Sequence, residues 1–346
     1  MATHPVRPAT RADVARLAGV SASTVTYALT GERPISDSTR ERIMDAMAKL
    51  DYTPNVMAQG LAGRRSGLIA LSFPVGERGF NISDFEYVKS ATEALERSGY
   101  QLLLWPNNAE DSESLRKIVS QRLIEGVILM EVRNQDPRVE VLKQAGIPFV
   151  LIGRTEDERS LTWADADFAG WGPLAVEHLA QLGHHHLAVI GQGPEFYSFG
   201  YGPVVRTEGE LLRSAHEHDM RVDIYRLDAH LRDGRELVEK LMSQADHPSA
   251  LLGFNEPAMI GALEAVTAAG LSVPRDISII HFGISAESAE ATVPAQTTIG
   301  VDGPLLAERA TEFLIQRMRT PEAQPQHFLA PPILIDRGST APFQSR

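Results

Sequence analysis

From Gly67 onward, short apolar runs alternate with stretches whose apolar positions recur every three or four residues. The runs GLIALSF (67–73), YQLLLW (100–105), GVILM (126–130) and PFVLI (148–152) read as buried strands. Helices fit near 84–98 and 112–123, with a shorter one before the fourth run. After a loop the alternation resumes: a helix near 169–182, HLAVIG (186–191), a helix near 204–219, IYRL (224–227), a helix near 231–244, ALLGF (250–254), a helix near 256–269 and ISIIHF (277–282). Strands alternating with helices predict open parallel sheets covered on both faces. Two rounds of the pattern predict an α/β core of two similar, doubly wound lobes. Ligands of such sheets bind beyond the carboxyl ends of the strands, so a cleft between the lobes is the expected small-molecule site.

The first 50 residues follow a different rule. Thr10 with Asp13 three residues on reads as a helix cap with an acidic third position, and Gly19 ends that helix. Ser21 caps a second helix over roughly 22–29, with Val20 and Val25 placed for a hydrophobic staple. Ser36 caps a third, in which Ile43, Met47 and Leu50 share a buried face. Pro54-Asn55 then opens VMAQGLAG, closed by Gly63 and Arg64-Arg65. A helix of that length is marginal alone in water, and Gly60 weakens it further. It is expected to fold conditionally. The expected division is therefore 1–53, a helical head; 54–65, a hinge and linker; 66–340, the two-lobed core; and 341–346, a frayed tail.

Charge sharpens this division. The chain carries a net −12, yet residues 1–65 hold nine Lys/Arg against six Asp/Glu, a surplus of three, which leaves −15 on the remainder. A basic head on an acidic body can meet DNA with one end. There is no cysteine, which excludes disulfides and thiolate metal sites and fits a reducing compartment. No stretch has the form of a signal peptide or a membrane helix, so a cytoplasmic protein with no membrane contact is expected.

The segments DVARLAGVS, STVTYAL, ISDSTRERI, LDYTPN and AQGLAGRRSGLIAL occur in order over the first 71 residues. They resemble the lactose-repressor/galactose-repressor (LacI/GalR) family. AVEHLAQLGHHHLAVIG, Arg206-Thr-Glu-Gly209, Asn255 and PAQTTIGVD extend the resemblance over nearly the whole chain. It implies a helix-turn-helix headpiece, a periplasmic-binding-protein-like core with several crossovers between lobes, a homodimer, an operator and a small-molecule effector. The expected function is a sequence-specific transcription regulator, a ligand-responsive repressor binding a pseudo-palindrome.

A helix-turn-helix lays its second helix in the major groove. The positions that match the family's base-contacting ones are Ala22, Ser23 and Tyr27. Ala22 offers apolar contact, for instance with a thymine methyl, and Ser23 discriminates weakly. Tyr27 replaces a common arginine and cannot form the bidentate pair with guanine. Thr10, Ser21 and Thr24 suit phosphate contacts, which orient without specifying; capping is the alternative role of Thr10 and Ser21. The resemblance also carries Asn55, Ala58 and Leu61 to DNA, Leu61 as an apolar wedge between bases in the minor groove.

For the effector, the resemblance points to Arg206, whose planar fork suits paired hydroxyls or a carboxylate. A surface ion pair with Glu208 or Glu210 is its alternative. Asn255 offers an acceptor and donors at a strand end, and Arg154, Phe282, Phe73 and Asp302 fall near other strand ends. Several acidic positions usual among sugar-binding members are changed: Gly283 and Gly153 stand where aspartates are common, and Asn255 is followed by Glu256. The loop GPEFYSFGYGP adds Phe196, Tyr197, Phe199 and Tyr201, which either line the cleft or pack the loop onto the core. The ligand expected from these changes is flatter, less hydroxylated or anionic, or the site has lost its ligand.

His184-His185-His186 lacks the spacing of a metal site, GQGP is not a dinucleotide fingerprint, and no acid/base or nucleophile constellation occurs. No metal, cofactor or catalysis is expected. A transport solute-binding protein is the other reading of the two-lobed core, and the headpiece argues against it.

Overall fold

The computed structural model describes residues 7, 9–30, 33–52, 66–74, 82–107 and 112–344. The chain falls into two compact units, Met1–Ser66 and Gly67–Arg346.

In the first unit three short helices, α1 (Arg11–Ala18), α2 (Ala22–Thr30) and α3 (Asp37–Lys49), enclose one small core. Val14, Val25 and Ile43 are fully buried at its centre, and Ala15, Ala18, Ala28 and Ala46 around them let the helices approach closely. The ends are satisfied locally. Thr10 and Asp13 form a reciprocal capping box, and Gly19 turns the chain left-handed at φ 66°. The Oγ of Ser21 accepts the Thr24 amide at 3.1 Å, and that of Ser36 accepts the Thr39 amide. Arg40 on α3 donates to the Ala28 carbonyl at 2.8 Å, tying α3 to the end of α2.

The second unit holds two six-stranded sheets. The first, in the order β11-β5-β4-β3-β1-β2, is parallel throughout: β1 (Leu68–Pro74), β2 (Gln101–Asn107), β3 (Gly126–Leu129), β4 (Phe149–Ile152), β5 (Trp163–Ala166) and β11 (His327–Ala330). The second, in the order β12-β10-β9-β8-β6-β7, contains β6 (His186–Gly191), β7 (Arg221–Arg226), β8 (Ala250–Gly253), β9 (Ser278–Phe282), β10 (Thr297–Gly300) and β12 (Ile333–Ile335), with β12 alone antiparallel. The central strands are apolar and buried along their whole length, as a sheet covered on both faces requires.

The helices described between them are α4 (Ile82–Arg97), α5 (Ser112–Ser120), α6 (Pro137–Ala145), α7 (Phe168–Gln181), α8 (Pro194–Ser198), α9 (Gly202–Glu217), α10 (Leu231–Met242), α11 (Glu256–Ala268), α12 (Ala286–Glu290) and α13 (Gly303–Arg319). Three crossovers join the lobes. The chain leaves the first sheet after β5 and packs α7 against α9. It returns after β10, when α13 lays Leu306, Ala310 and Leu314 into the core beside β3, β4 and β5. It crosses again between β11 and β12. No helix among the described residues is long and apolar enough to cross a membrane.

The tail departs from expectation. Residues 339–343 run along the second lobe as a bonded strap rather than a frayed end. The buried Ser339 hydroxyl donates to the Ile279 carbonyl, Ala341 N donates to Ser278 Oγ, and Phe343 N donates to the Leu182 carbonyl at 2.8 Å. His184, the first of the three histidines, is used to hold this strap, with Nδ1 on Ser249 and Nε2 beside the Ala341 carbonyl.

Two buried polar groups generate expectations about stability. Asp136 caps α6 and pairs with Arg138, and both side chains are essentially inaccessible. Arg138 donates through Nε and Nη2 to the two carboxylate oxygens at 2.9 and 2.7 Å. Burial alone would raise the Asp136 carboxyl, yet the hydrogen bonds and charge of Arg138 hold it below the usual carboxylate range. Removing one partner of such a pair leaves an uncompensated charge. Asp136→Asn should cost about 3–5 kcal/mol by chemical denaturation. An Asp136→Asn variant as stable as the parent would contradict this account.

His281 is fully buried in β9, with Nδ1 bonded to Gln296 Oε1 at 3.0 Å. Burial pushes its imidazole down to about 4. The unfolded chain takes up a proton near pH 6.5 and the folded chain does not, so this histidine's contribution is present above that pH and is lost as pH falls towards 4. The loss between pH 7 and 5 is about 2 kcal/mol. Unfolding curves of the parent and of His281→Gln should converge by that amount over the interval; a constant difference would refute it.

Candidate functional site

A cleft of about 400 Å³ opens between the two sheets of the second unit, at the carboxyl ends of their strands. One wall carries Glu131 beyond β3, Arg154 beyond β4 and Asp165 within β5; the other carries Gln192 beyond β6, Asn255 beyond β8 and Phe282 at the end of β9. Open parallel sheets place their ligand crevices beyond the carboxyl ends of the strands.

Arg206, in the first turns of α9, reaches from the second lobe to the first. Its Nη1 donates to Asp165 Oδ2 at 3.2 Å, and Nη2 donates to Asn134 Oδ1 at 3.2 Å and the Arg154 carbonyl at 3.0 Å. Arg154 donates to the same Asp165 oxygen at 3.0 Å and to Glu158 at 3.0 Å. Glu208 and Glu210 pair instead with Arg226 and Arg213, so the alternative surface pairing of Arg206 does not occur. Burial pushes the Asp165 carboxyl up to about 7, against the pull of Arg206 and then Arg154. Further contacts join the same segments: Asn134 N donates to the Gly200 carbonyl at 3.0 Å, and the Arg133 guanidinium lies 4.3 Å over the Phe199 ring.

The structure thus brings Arg206, Arg154, Asn255 and Phe282 to one cleft. Asn255 is buried and its amide is already engaged: Oδ1 caps α11 by accepting the Ala258 amide, and Nδ2 donates to the Leu227 and Asp228 carbonyls. Asp302 is a correction. It is exposed, stands outside the lining residues and caps α13 by accepting the Leu305 amide at 2.9 Å. Phe73 lies in β1, and its side chain is outside the described residues. Of the loop aromatics, Tyr201 lines the cleft, while Phe196 and Phe199 pack with it. Tyr197 lies beneath Arg226 at 3.9 Å.

The floor is aromatic. The Trp171, Phe254 and Phe282 rings stack within 25° of parallel at centroid distances of 4.6–6.3 Å, and Phe168 packs on Trp171. This explains Gly283. Its φ is +70°, and a side chain there would meet the Trp171 indole at 3.2 Å. At Gly153, φ is +116° and a Cβ would meet Val132 at 3.0 Å. Carboxylates line the cleft from other elements. Asp84 and Glu86 come from the start of α4, and Glu131 comes from a residue at φ +53° whose carbonyl, with that of Met130, accepts Arg138 Nη2. The sequence reading missed these three. The acidic start of α4 was its only available signal.

In the first unit, α2 opens with a hydroxyl cluster. Ser21 Oγ lies 2.7 Å from both Ser23 Oγ and Thr24 Oγ1. Ser21 and Ser23 are exposed, Thr24 and Tyr27 half-buried, and Ala22 turns partly into the core. Arg33 sits 5.2 Å over the Tyr27 ring. Thr10 is half-buried in its capping box. Asn55, Ala58 and Leu61 lie outside the described residues.

Asp228, His230 and Asp233 bring possible metal-ligating atoms within 4.8 Å of one another at the start of α10. Arg232 already donates to Asp233, and the positive end of the helix dipole opposes a cation there.

Comparison with known proteins agrees with this geometry. Residues 10–55 match the model of bacterial regulatory proteins of the lacI family, and residues 176–340 match the periplasmic binding protein-like domain. The chain is 30% identical to the HTH-type transcriptional repressor PurR of Escherichia coli O139:H28, over 97% of this chain and 98% of that protein. It is 29% identical to the HTH-type transcriptional regulator DegA of Bacillus subtilis, over 96% and 98%. The Lac repressor dimer bound to operator and the anti-inducer ONPF superposes with a TM-score of 0.81 at 25% identity, over 97% and 100%. With a helix-turn-helix head, a two-lobed core and relatives aligned from end to end, the chain belongs to the lacI family of bacterial regulatory proteins and is a helix-turn-helix transcription regulator.

Proposed function

We propose that the protein is a ligand-responsive repressor that binds a pseudo-palindromic operator as a homodimer, beside the chromosome in the cytoplasm, and that it binds its effector without catalysis. One observation carries the reading: a single chain joins a helix-turn-helix unit whose second helix opens on exposed hydroxyls to a core whose cleft is bonded across by charged groups of both lobes. Two identical heads related by a twofold axis impose symmetry on the DNA, with half-sites spaced by whole helical turns.

In this reading Ala22, Ser23 and Tyr27 face base edges, and Thr10, Ser21 and Thr24 position phosphates. Asn55, Ala58 and Leu61 contribute in the minor groove, on the strength of the sequence. Arg206, Arg154, Asn255 and Phe282 form the effector wall. Arg206 already bridges the lobes, so a ligand that engages or displaces it changes the relative stability of open and closed cores. Only such differential affinity can shift the equilibrium, and the coupling to DNA is reciprocal.

Selection of genomic fragments with the full-length protein should recover a pseudo-palindromic site, with binding that weakens steeply as salt rises. Tyr27→Arg should gain a preference for guanine at one symmetric pair of positions, worth about 1–3 kcal/mol. No enriched site, or a site without dyad symmetry, would overturn the proposal.

A further inference from the structure

Taking the cleft as the effector site, we propose that residues 131–136 of the first lobe and 194–206 of the second form a latch. It holds the rim of the cleft closed in the ligand-free protein, so that a ligand acts by shifting an equilibrium between latched and unlatched cores. The two segments meet through three kinds of contact. The backbones of Arg133 and Tyr201 form an isolated antiparallel bridge, and Asn134 N donates to the Gly200 carbonyl at 3.0 Å. The Arg133 guanidinium lies 4.3 Å over the Phe199 ring. Arg206 Nη2 donates to Asn134 Oδ1 at 3.2 Å. Asn134 is the pivot, since both its amide N–H and its side chain are bonded to the opposite lobe.

Each half is built within its own lobe. In the first lobe, the buried Arg138 donates to the Met130 and Glu131 carbonyls, Arg133 N donates to Asp136 Oδ2, and the Asn134 carbonyl accepts the Glu156 amide at 2.9 Å. In the second, Gly200 turns the chain at φ +67° and Tyr201 N donates to the Phe196 carbonyl at 2.8 Å. The Phe196, Phe199 and Tyr201 rings pack on one another at 5.3–6.4 Å. Arg226 anchors this loop from β7, lying 3.9 Å over the Tyr197 ring while paired with Glu208. Two preformed surfaces lose little freedom when they dock, so a few contacts suffice to join them.

The same contacts are weak enough to break. Arg133, Asn134, Phe199 and Gly200 are all half-buried, so each can exchange its partner for water when the lobes part. The crossovers differ: Leu306, Ala310 and Leu314 of α13 are fully buried and stay with the core. A rim that opens around a fixed core is the arrangement of a hinged closure. Tyr201 lines the cleft from within the latch, and Arg206 extends from the latch to Asp165. A ligand in the cleft therefore touches the latch directly, and it biases the equilibrium by its difference in affinity for the two states.

The test needs no ligand. The chain has no cysteine, so Gln144→Cys on α6 and His216→Cys on α9 put one spin label on an exposed position of each lobe, at the helix ends remote from the latch. Labelled full-length chains are diluted with unlabelled ones, and pulsed electron resonance reads the distance within one chain. The parent should give a single short, narrow distribution. Arg133→Ala/Asn134→Ala should raise the ratio of open to closed cores roughly tenfold, through loss of one cation–π contact and one hydrogen bond to a charged group. Arg133→Gln alone should shift it the same way by roughly threefold, and it keeps the test open if the double variant does not fold. Asn134→Asp should hold the narrow distribution, because a carboxylate accepts a guanidinium more strongly than an amide does. A broad or long distribution in the parent overturns the proposal, as does a folded double variant, or Arg133→Gln in its place, with the parent's distances. Binding to the operator recovered by selection separates this inference from the functional reading. Unlatching should change that affinity roughly fivefold or more. Open cores that bind as the parent does would overturn the regulatory role of the latch. A parent that is latched yet binds no operator would overturn the repressor reading alone.

Discussion

One buried carboxylate organises the core. Asp165 sits in the short strand β5 with almost no exposure, and its Oδ2 is shared by guanidinium groups from both lobes. Burying a carboxylate is unfavourable unless charge and hydrogen bonds return to it what water supplied. Arg154 does so from its own lobe and Arg206 from the other, while the Ala166 amide satisfies Oδ1. The closed cleft is thus coupled to the solvation of a single residue. Opening the lobes removes Arg206 and leaves Asp165 with one cation. The planar fork is essential, because Arg206 reaches three acceptors at once, which a lysine ammonium on a flexible stem cannot hold in fixed geometry.

Much of the fold was legible because its signals are local. Caps at Thr10, Ser21 and Ser36 mark three helices in the head, and continuous apolar runs mark the central strands. What escaped was determined by tertiary context. WADA carries an aspartate and only four residues, so no periodicity marks it as β5; it is held in the sheet by its ladders to β4 and β11, with Arg154 and Arg206 paired to the buried aspartate. The helix at Gly303–Arg319 repeats Leu306, Ala310 and Leu314 at fourfold spacing behind the Asp302 cap, a legible pattern that was passed over. Asp302 was therefore assigned to a ligand when its carboxylate was already committed to a helix end. PFQSR has no pattern of its own, and the partner of its Phe343 amide, the Leu182 carbonyl, is distant in sequence.

The candidate site shows the same division. A resemblance can place Arg206 and Asn255 on a wall, since strand ends are fixed by the fold. It cannot say which of their atoms remain available. The Asn255 amide is consumed in holding the Leu227–Asp228 turn, a packing role that its residue type does not reveal. The two glycines at the expected aspartate positions looked like a loss of polar chemistry. In the structure both have positive φ and sit against a neighbouring side chain, Val132 at one and Trp171 at the other, so a side chain at either would be strained. Acidic groups return from α4 and from Glu131, none of which strand pattern could find.

Charge then links the cleft to the whole molecule. The core carries a net −15 and the head a surplus of three positive charges. Negative charge on a body that works near DNA is a repulsive field that the head must overcome, and it keeps non-specific contact low. The same field acts on small molecules over a Debye length of about 8 Å at physiological salt, and low-dielectric cleft walls focus it.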